Sequence, residues 1–282
     1  MHVPEFAAEQ GGGDVERKCR YADHKNGSPG PEQVGGKPLN SGVFSPPPDR
    51  NRPMDSYYGN VNPTLLDLMR GDEQRVLEFG CGRGAFARAA RQRCPLLAYY
   101  VGLDVHLEAV HEAAAAMSTA LCRDVDRIKD WAADSELAAA APVGTFDAVI
   151  LGDVLEHLVD PERCLTQARQ LVQPHGRVLA CIPNVQHWSV FVQLVRGSWP
   201  RLDSGLFDRT HLRWFALDDM VRMFNAAGLE VLSVTPRVFD RDQGLEVAQY
   251  LEPMAHLLGV EPEALSQRVL PLQYVLEGAS RS

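Results

Sequence analysis

Three glycines at alternate positions, in "EFGCGRGA" (78–85), follow directly on the apolar run "RVL", and an acid, Glu78, stands two residues ahead of the first of them. Glycines strip the backbone of Cβ atoms, so a ligand can approach the main chain closely and lodge at the start of the helix that follows. "GCGRGA" (80–85) fits the G-x-G-x-x-G/A pattern of a dinucleotide loop, a weak signal by itself. Glu78 argues against a pyrophosphate, which needs donors and positive potential around it. The same carboxylate favours a ligand carrying an ammonium or a sulfonium. Asp104, 20 residues beyond Gly84 at the tip of the next apolar run, is suited to accept both hydroxyls of a ribose. Together these describe S-adenosylmethionine.

A second constellation lies in "LGDVLEHLVDP" (151–161) and "FDRTHLRWF" (207–215). Methyl transfer from a sulfonium is a displacement on an activated carbon, so the protein's task is mostly alignment. A hydroxyl acceptor also needs a base, and histidine is best tuned for that near neutral pH. His157 and His211 are the candidates, with Gly152 and Asp153 opening the loop toward the transferred methyl. Asp160 before Pro161 reads as a helix cap. Glu156 and His157 serve equally well as a hydrogen-bonded brace, and His211 as a capping or buried histidine.

The elements that must position these groups alternate from Asp55 onward. Strands are expected at 75–80, 98–105, 120–124, 145–153, 176–183, 229–239 and 272–279. Helices are expected at 62–69, 84–93, 106–117, 160–172 and 216–228, with two more near 244–258 and 261–270. Repeated strand–helix units predict a doubly wound, mostly parallel sheet of seven strands with helices on both faces, its ligand beyond the carboxyl ends of the strands. Residues 184–216 break the rhythm as a long connection holding Trp188, Trp199 and Trp214. It reads as a substrate-side lid, with Trp188 and Trp214 mostly packing and Arg196, Arg201, Arg209 and Arg213 suited to an acidic acceptor.

On "VLEFGCGRG" (76–84), "VGLDV" (101–105) and "FDAVILGDVLEHLVDPERCL" (146–165), the sequence resembles the class I S-adenosylmethionine-dependent methyltransferases from about Tyr57 to the last strand. The resemblance implies that Glu78, Gly80, Gly82 and Gly84, with Phe79 and Cys81 between them, wrap the methionine part of the cofactor. Asp104, with Val105, takes the ribose; Gly152 and Asp153 close the site. It further implies that Asp124 bonds the adenine amino group with Val125 beside the ring, a helix N-cap being the alternative for Asp124. Tyr57 and Tyr58 resemble an aromatic lid over the cofactor. "PNVQHWS" (183–189) and "DRTHLRWF" (208–215) look like the small methyltransferases of bacterial glycan and surface-polysaccharide assembly. "DVLEHLVDP" with "RTHLRWF" also resembles the ubiquinone-biosynthesis O-methyltransferases, some of which place a divalent metal at these loops. The matching set would be Asp153, Glu156, His157 and His211. Asp153 stands where that group carries Glu, and no metal is assigned.

The expected activity is methylation of a small-molecule or glycan hydroxyl. N- or C-methylation, a nicotinamide-dependent oxidoreductase and a non-catalytic cofactor-binding subunit are the alternatives. A net charge of −9 disfavours nucleic-acid partners and anionic membranes. Six scattered cysteines without a C-x-x-C pair read as reduced, and no run is long enough to insert in a membrane, so a cytoplasmic protein is expected. Sixteen of residues 1–53 are Gly or Pro, which predicts a disordered tail ahead of a methyltransferase domain at 54–282.

Overall fold

The computed structural model describes residues 61–280; the N-terminal segment 1–53, Tyr57 and Tyr58 lie outside the described residues. Asn62 opens the first helix, α1 (Pro63–Asp67), its side-chain oxygen accepting from the amides of Thr64 and Leu65 at 3.1 and 3.3 Å, with Pro63 in the first turn. Strand β1 (Arg75–Phe79) leads through the glycines into α2 (Ala85–Arg93). Next come β2 (Tyr99–Asp104), α3 (Leu107–Ala113), β3 (Thr119–Cys122), α4 (Ser135–Ala140), β4 (Phe146–Gly152) and α5 (Pro161–Leu171). Between β3 and β4 the chain forms two 3₁₀ turns, Val125–Arg127 and Trp131–Ala133, and α4, each entered through an aspartate cap.

Strand β5 (Val172–Pro183) is followed by α6 (Trp188–Val195), a helix inside what the sequence presented as a long connection. Its "WSVFVQLV" carries β-branched and aromatic residues that disguise a helix. His187 caps it, its Nδ1 accepting from the Ser189 amide at 3.4 Å, and Asn184 fixes the approach. Asn184 donates through Nδ2 to the carbonyls of Arg268 and Pro271, both at 2.8 Å, and accepts from the Gln186 amide. Trp188 then packs on Ala248 and Val269. "PNVQHWS" is thus a structural joint between β5 and the C-terminal elements. Those are α7 (Leu217–Ala226), β6 (Leu229–Val238), α8 (Arg241–Leu257), α9 (Pro262–Val269) and β7 (Pro271–Ser280).

The seven strands form one sheet in the order β3-β2-β1-β4-β5-β7-β6, parallel except for β7, as the sequence led us to expect. Alternate residues feed two apolar layers. Leu77, Phe79, Leu103, Val149 and Leu151 face Leu165, Ala168 and Phe224; Val76, Tyr100 and Ile150 face Leu65, Phe86 and Ala90. Full burial of each large side chain is worth ~1.5–3 kcal/mol. At the opposite end from the carboxyl tips, buried Arg177 ties Glu73, Glu277 and the Leu68 carbonyl together at 2.6, 2.8 and 2.9 Å. Strand order reverses between β1 and β4, so the loops after these two strands flank the crevice in which such sheets bind ligands.

Candidate active site

Gly80, Gly82 and Gly84 all adopt positive φ, at 70, 49 and 76°. A Cβ on Gly80 would stand 2.7 Å from Val154 Cγ2, and one on Gly84 would stand 3.1 Å from the Ala113 Cα, so both the backbone conformation and the space require glycine. Asp104 pins this loop: its Oδ2 accepts from the Gly82 amide at 2.8 Å and its Oδ1 from the His106 amide at 2.9 Å. Each oxygen keeps a further lone pair that a ligand hydroxyl could use.

Glu78 is buried beneath the loop and accepts from the Tyr100 hydroxyl at 2.8 Å. Burial pushes its carboxyl up to about 8, with the nearby Asp104 charge adding to the rise. No cation among the described residues forms an ion pair with it; an acid so placed favours a positive ligand. Phe79 stacks on Trp131 within the core, leaving its backbone at the loop. Cys81 is buried, and burial drives its thiol upward, away from the reactive thiolate.

Of the residues expected to meet the adenine and ribose, Val105 is 55% exposed, an open apolar face at the tip of β2. Val125 is buried in the core cluster instead. Asp124 caps the turn after β3 through the Asp126 amide at 3.1 Å and pairs with Arg127 at 3.1 Å. Its neighbour Asp126 has a bracing role, accepting from the amides of Val159 and Asp160. Asp160 caps α5 as expected, accepting from the Arg163 amide at 3.0 Å.

Beyond β4 the chain bends through Asp153, whose φ of 54° is strained for a side-chain-bearing residue. Asp153 Oδ1 accepts from the Gln273 amide; burial pushes its carboxyl up to about 6, and the Arg237 charge opposes the rise. A 3₁₀ turn, Leu155–His157, then carries Glu156 and His157. Loop 208–212 folds over that turn, the amides of Leu212 and Arg213 bonding the Glu156 carbonyl at 2.8 and 3.1 Å. This brings His211 to His157, ring centroids 4.8 Å apart at 71°.

The tautomers follow from the partners. His157 Nδ1 lies 3.3 Å from the Thr210 carbonyl and 3.1 Å from Thr210 Oγ1, whose own proton is engaged by Asp208 Oδ1 at 2.6 Å. Both neighbours accept, so Nδ1 carries the ring proton and Nε2 keeps a lone pair. His211 Nδ1 donates likewise to the Leu206 carbonyl at 3.2 Å, leaving its Nε2 bare, 3.9 Å from Glu156 Oε1. Burial lowers both imidazoles, which favours the neutral form. Glu156 is 1% exposed, and neither carboxylate oxygen has a hydrogen-bond partner. Burial raises its carboxyl well above the ordinary range. A buried polar group left unpartnered costs about 1–3 kcal/mol. Glu156→Met should therefore raise Tm by a few degrees, a gain of about 1 kcal/mol, readable by scanning calorimetry. An unchanged or lower Tm would show that the carboxyl has a structural role.

The expected lid residues divide. Trp188 packs in the core, but Trp214 does not: it and Trp199 are each 40% exposed, meeting edge-on at 5.4 Å, with Trp199 also against Phe207 at 5.2 Å. The arginines of this segment are largely tied to the chain itself: Arg201 bonds the Arg209 carbonyl, Arg209 pairs with Asp203, and Arg213 bonds the Val159 carbonyl at 2.8 Å. Sequence reasoning missed Arg237 and Gln273, which stand next to Asp153; nothing local marks them, since strands β6 and β7 meet β4 only through the sheet.

Residues 50–234 match a family described as "Methyltransferase domain". The chain is 28% identical over 178 residues to a ubiquinone biosynthesis O-methyltransferase of Neisseria meningitidis serogroup C, covering 61% of this chain and 72% of that one. It is 32% identical over 186 residues to the enzyme of that name from Vibrio campbellii, covering 62% and 74%. Among solved structures it resembles a chain of the complex between the Haloferax volcanii Trm112 methyltransferase activator and a methyltransferase. That likeness has a TM-score of 0.53 at 18% identity, over 81% of this chain and 92% of that chain. An S-adenosylmethionine-dependent methyltransferase from Mesorhizobium loti gives a TM-score of 0.50 at 17% identity, over 77% and 95%.

Proposed function

The chain belongs to the methyltransferase-domain family, as a class I S-adenosylmethionine-dependent enzyme, and on that premise we propose that it methylates a hydroxyl of a small-molecule or glycan acceptor with His157 as the base. The oxidoreductase and non-catalytic readings fall with that membership. Among the described residues no helix is long and apolar enough to cross a membrane.

Bound S-adenosylmethionine supplies a methyl group activated on a sulfonium. The residues around the glycine loop suit it: a cradle that any Cβ would fill, a buried acid for the cationic end, and Asp104 for the ribose. Asp124 and the exposed face of Val105 are assigned to the adenine, and Gly152 and Asp153 to the rim facing the methyl group. Val125, being buried, supports the adenine pocket from behind. His157 accepts the acceptor's hydroxyl proton at Nε2 as oxygen attacks the methyl carbon and the carbon–sulfur bond breaks. Thr210, fixed by Asp208, holds the imidazole in the receptive tautomer, and His211 orients the face opposite.

The observation that carries this reading is the pair of imidazoles whose Nδ1 protons are bound to carbonyls, leaving bare Nε2 atoms next to a partnerless acid. The test is turnover with S-adenosylmethionine across a panel of catechols, phenols, sugars and amines. The names of the Neisseria and Vibrio relatives put aromatic hydroxyls first. Methylation confined to amines would refute the reading.

One observation favours a second reading of the same cluster. Glu156, His157 and His211 bring three ligand-type atoms within 4.8 Å of one another, and buried unpartnered oxygens with neutral imidazoles suit a divalent cation. Asp153, the fourth residue of the expected set, is engaged by Gln273 instead. Glu156, His157 and His211 would hold such an ion, which would acidify a hydroxyl bound beside it. Dialysis against a chelator separates the readings. Retained turnover identifies His157 as a metal-free base; turnover lost and restored by Mg²⁺ or Zn²⁺ assigns the cluster to a cation.

A further inference from the structure

Arg237 and Gln273 are register partners on β6 and β7, on the sheet face that carries Cys181, at the end where β4 gives way to Asp153. The Gln273 amide is oriented by its two neighbours: Nε2 donates to Asp153 Oδ1 and Oε1 accepts from Arg237 Nη1. Arg237 Nη1 also reaches Cys181 Sγ at 3.9 Å, and the guanidinium carbon lies 5.3 Å from the Phe239 ring centre. The cation is thus held by one nitrogen and an aromatic side chain. Among the described residues its Nε and Nη2 have no hydrogen-bond partner and it forms no ion pair. Gln273 stands between it and Asp153, so the two charges do not satisfy each other directly.

A half-buried guanidinium with an unoccupied edge presents two parallel N–H donors, the arrangement that a carboxylate or a phosphate matches with two oxygens. It lies at the carboxyl end of β6, one residue before the strand stops, on the rim that holds Asp153, where such sheets bind ligands. Arg201, Arg209 and Arg213, the cations that sequence alone offered for such a role, make their bonds within the chain.

We propose that Arg237, oriented by Gln273, is an acceptor-binding residue, and that the acceptor bears an anionic group, carboxylate or phosphate, apart from the hydroxyl that is methylated. This rests on the hydroxyl-transfer reading above. It predicts selectivity that the His157 cluster does not.

The experiment is calorimetric titration of the full chain, saturated with S-adenosylhomocysteine, with matched probes: 3,4-dihydroxybenzoate against its methyl ester, and glucuronate and glucose 6-phosphate against glucose. The wild type should bind at least one anionic probe about tenfold or more tighter than its neutral counterpart, as expected for a charged hydrogen-bonded pair. The better of the carboxylate and phosphate probes identifies the anion. Arg237→Gln should abolish the preference while leaving S-adenosylhomocysteine and the neutral probes within twofold. Arg237→Lys, which keeps the charge but loses the fork, should retain only part of it. Equal binding of charged and neutral probes by the wild type would overturn the proposal. So would an equal loss for both in Arg237→Gln, because a residue serving only to balance Asp153 would affect every acceptor alike. An arginine-dependent anion preference without methylation of any hydroxyl would refute the hydroxyl-transfer reading alone. Methylation of neutral acceptors without that preference would refute this one alone.

Discussion

His157→Ala should lower kcat by about 10²–10⁴-fold on a hydroxyl acceptor while leaving the affinity for S-adenosylhomocysteine unchanged, since general-base contributions fall in that range. The argument rests on where the ring's proton is. Thr210 offers His157 Nδ1 a carbonyl and a hydroxyl whose own hydrogen is given to Asp208, so the imidazole is locked with Nε2 available. Burial keeps it neutral, ready to take a proton. Thr210→Val removes one acceptor but not the carbonyl, so its loss should be smaller, about tenfold. Added imidazole should partly restore turnover in His157→Ala, a response that a merely structural histidine would not give. Single-turnover kinetics with a catechol would measure it. A kcat within threefold of wild type would remove His157 from the chemistry.

Glu78→Gln should weaken S-adenosylmethionine binding by about 10- to 100-fold, the usual worth of a charge-assisted contact in a buried site. A second signature comes from protons. Burial holds the Glu78 carboxyl at about 8, above its ordinary value, so the unliganded protein keeps it protonated at neutral pH. The sign follows: its contribution to stability is complete below the ordinary carboxylate range and is lost as pH rises through about 8. A cationic ligand favours the ionised form and pulls the value down, so binding at pH 7 should release close to one proton. Titrations in phosphate and in Tris, whose ionisation enthalpies differ, would count it. Near pH 9 the release should fade, and in Glu78→Gln it should vanish. Unaltered affinity and unaltered proton release in the variant would show that Glu78 serves only Tyr100.

The elements themselves were legible along the chain because each owes its form to local patterning. Apolar runs gave the buried strands, Asn62 and Asp160 announced the helices they cap, and positive φ at Gly80, Gly82 and Gly84 is a demand that few other residues meet. Helix α6 escaped because its apolar residues are β-branched and aromatic, its cap is the imidazole of His187, and the Asn184 joint ahead of it is fixed by Arg268 and Pro271, more than 80 residues away. The glycine loop, Glu78 and Asp104 were legible as a candidate cofactor site for a related reason: they lie within 30 residues, and one strand–helix–strand unit sets their geometry.

The acceptor side was not legible in that way. The resemblance grouped Asp153, Glu156, His157 and His211 as one set, but the sequence could not say that Asp153 turns away to Gln273 while the other three converge, nor that Arg237 stands next to it. Those contacts span 36 to 120 residues and arise only when β7 inserts antiparallel between β5 and β6 and loop 208–212 closes over the turn after β4. Local spacing fixes what one strand and its loop can hold. Which side chains from distant strands share a carboxyl-end rim is decided by strand order and register, and these are set by the packing of the whole sheet.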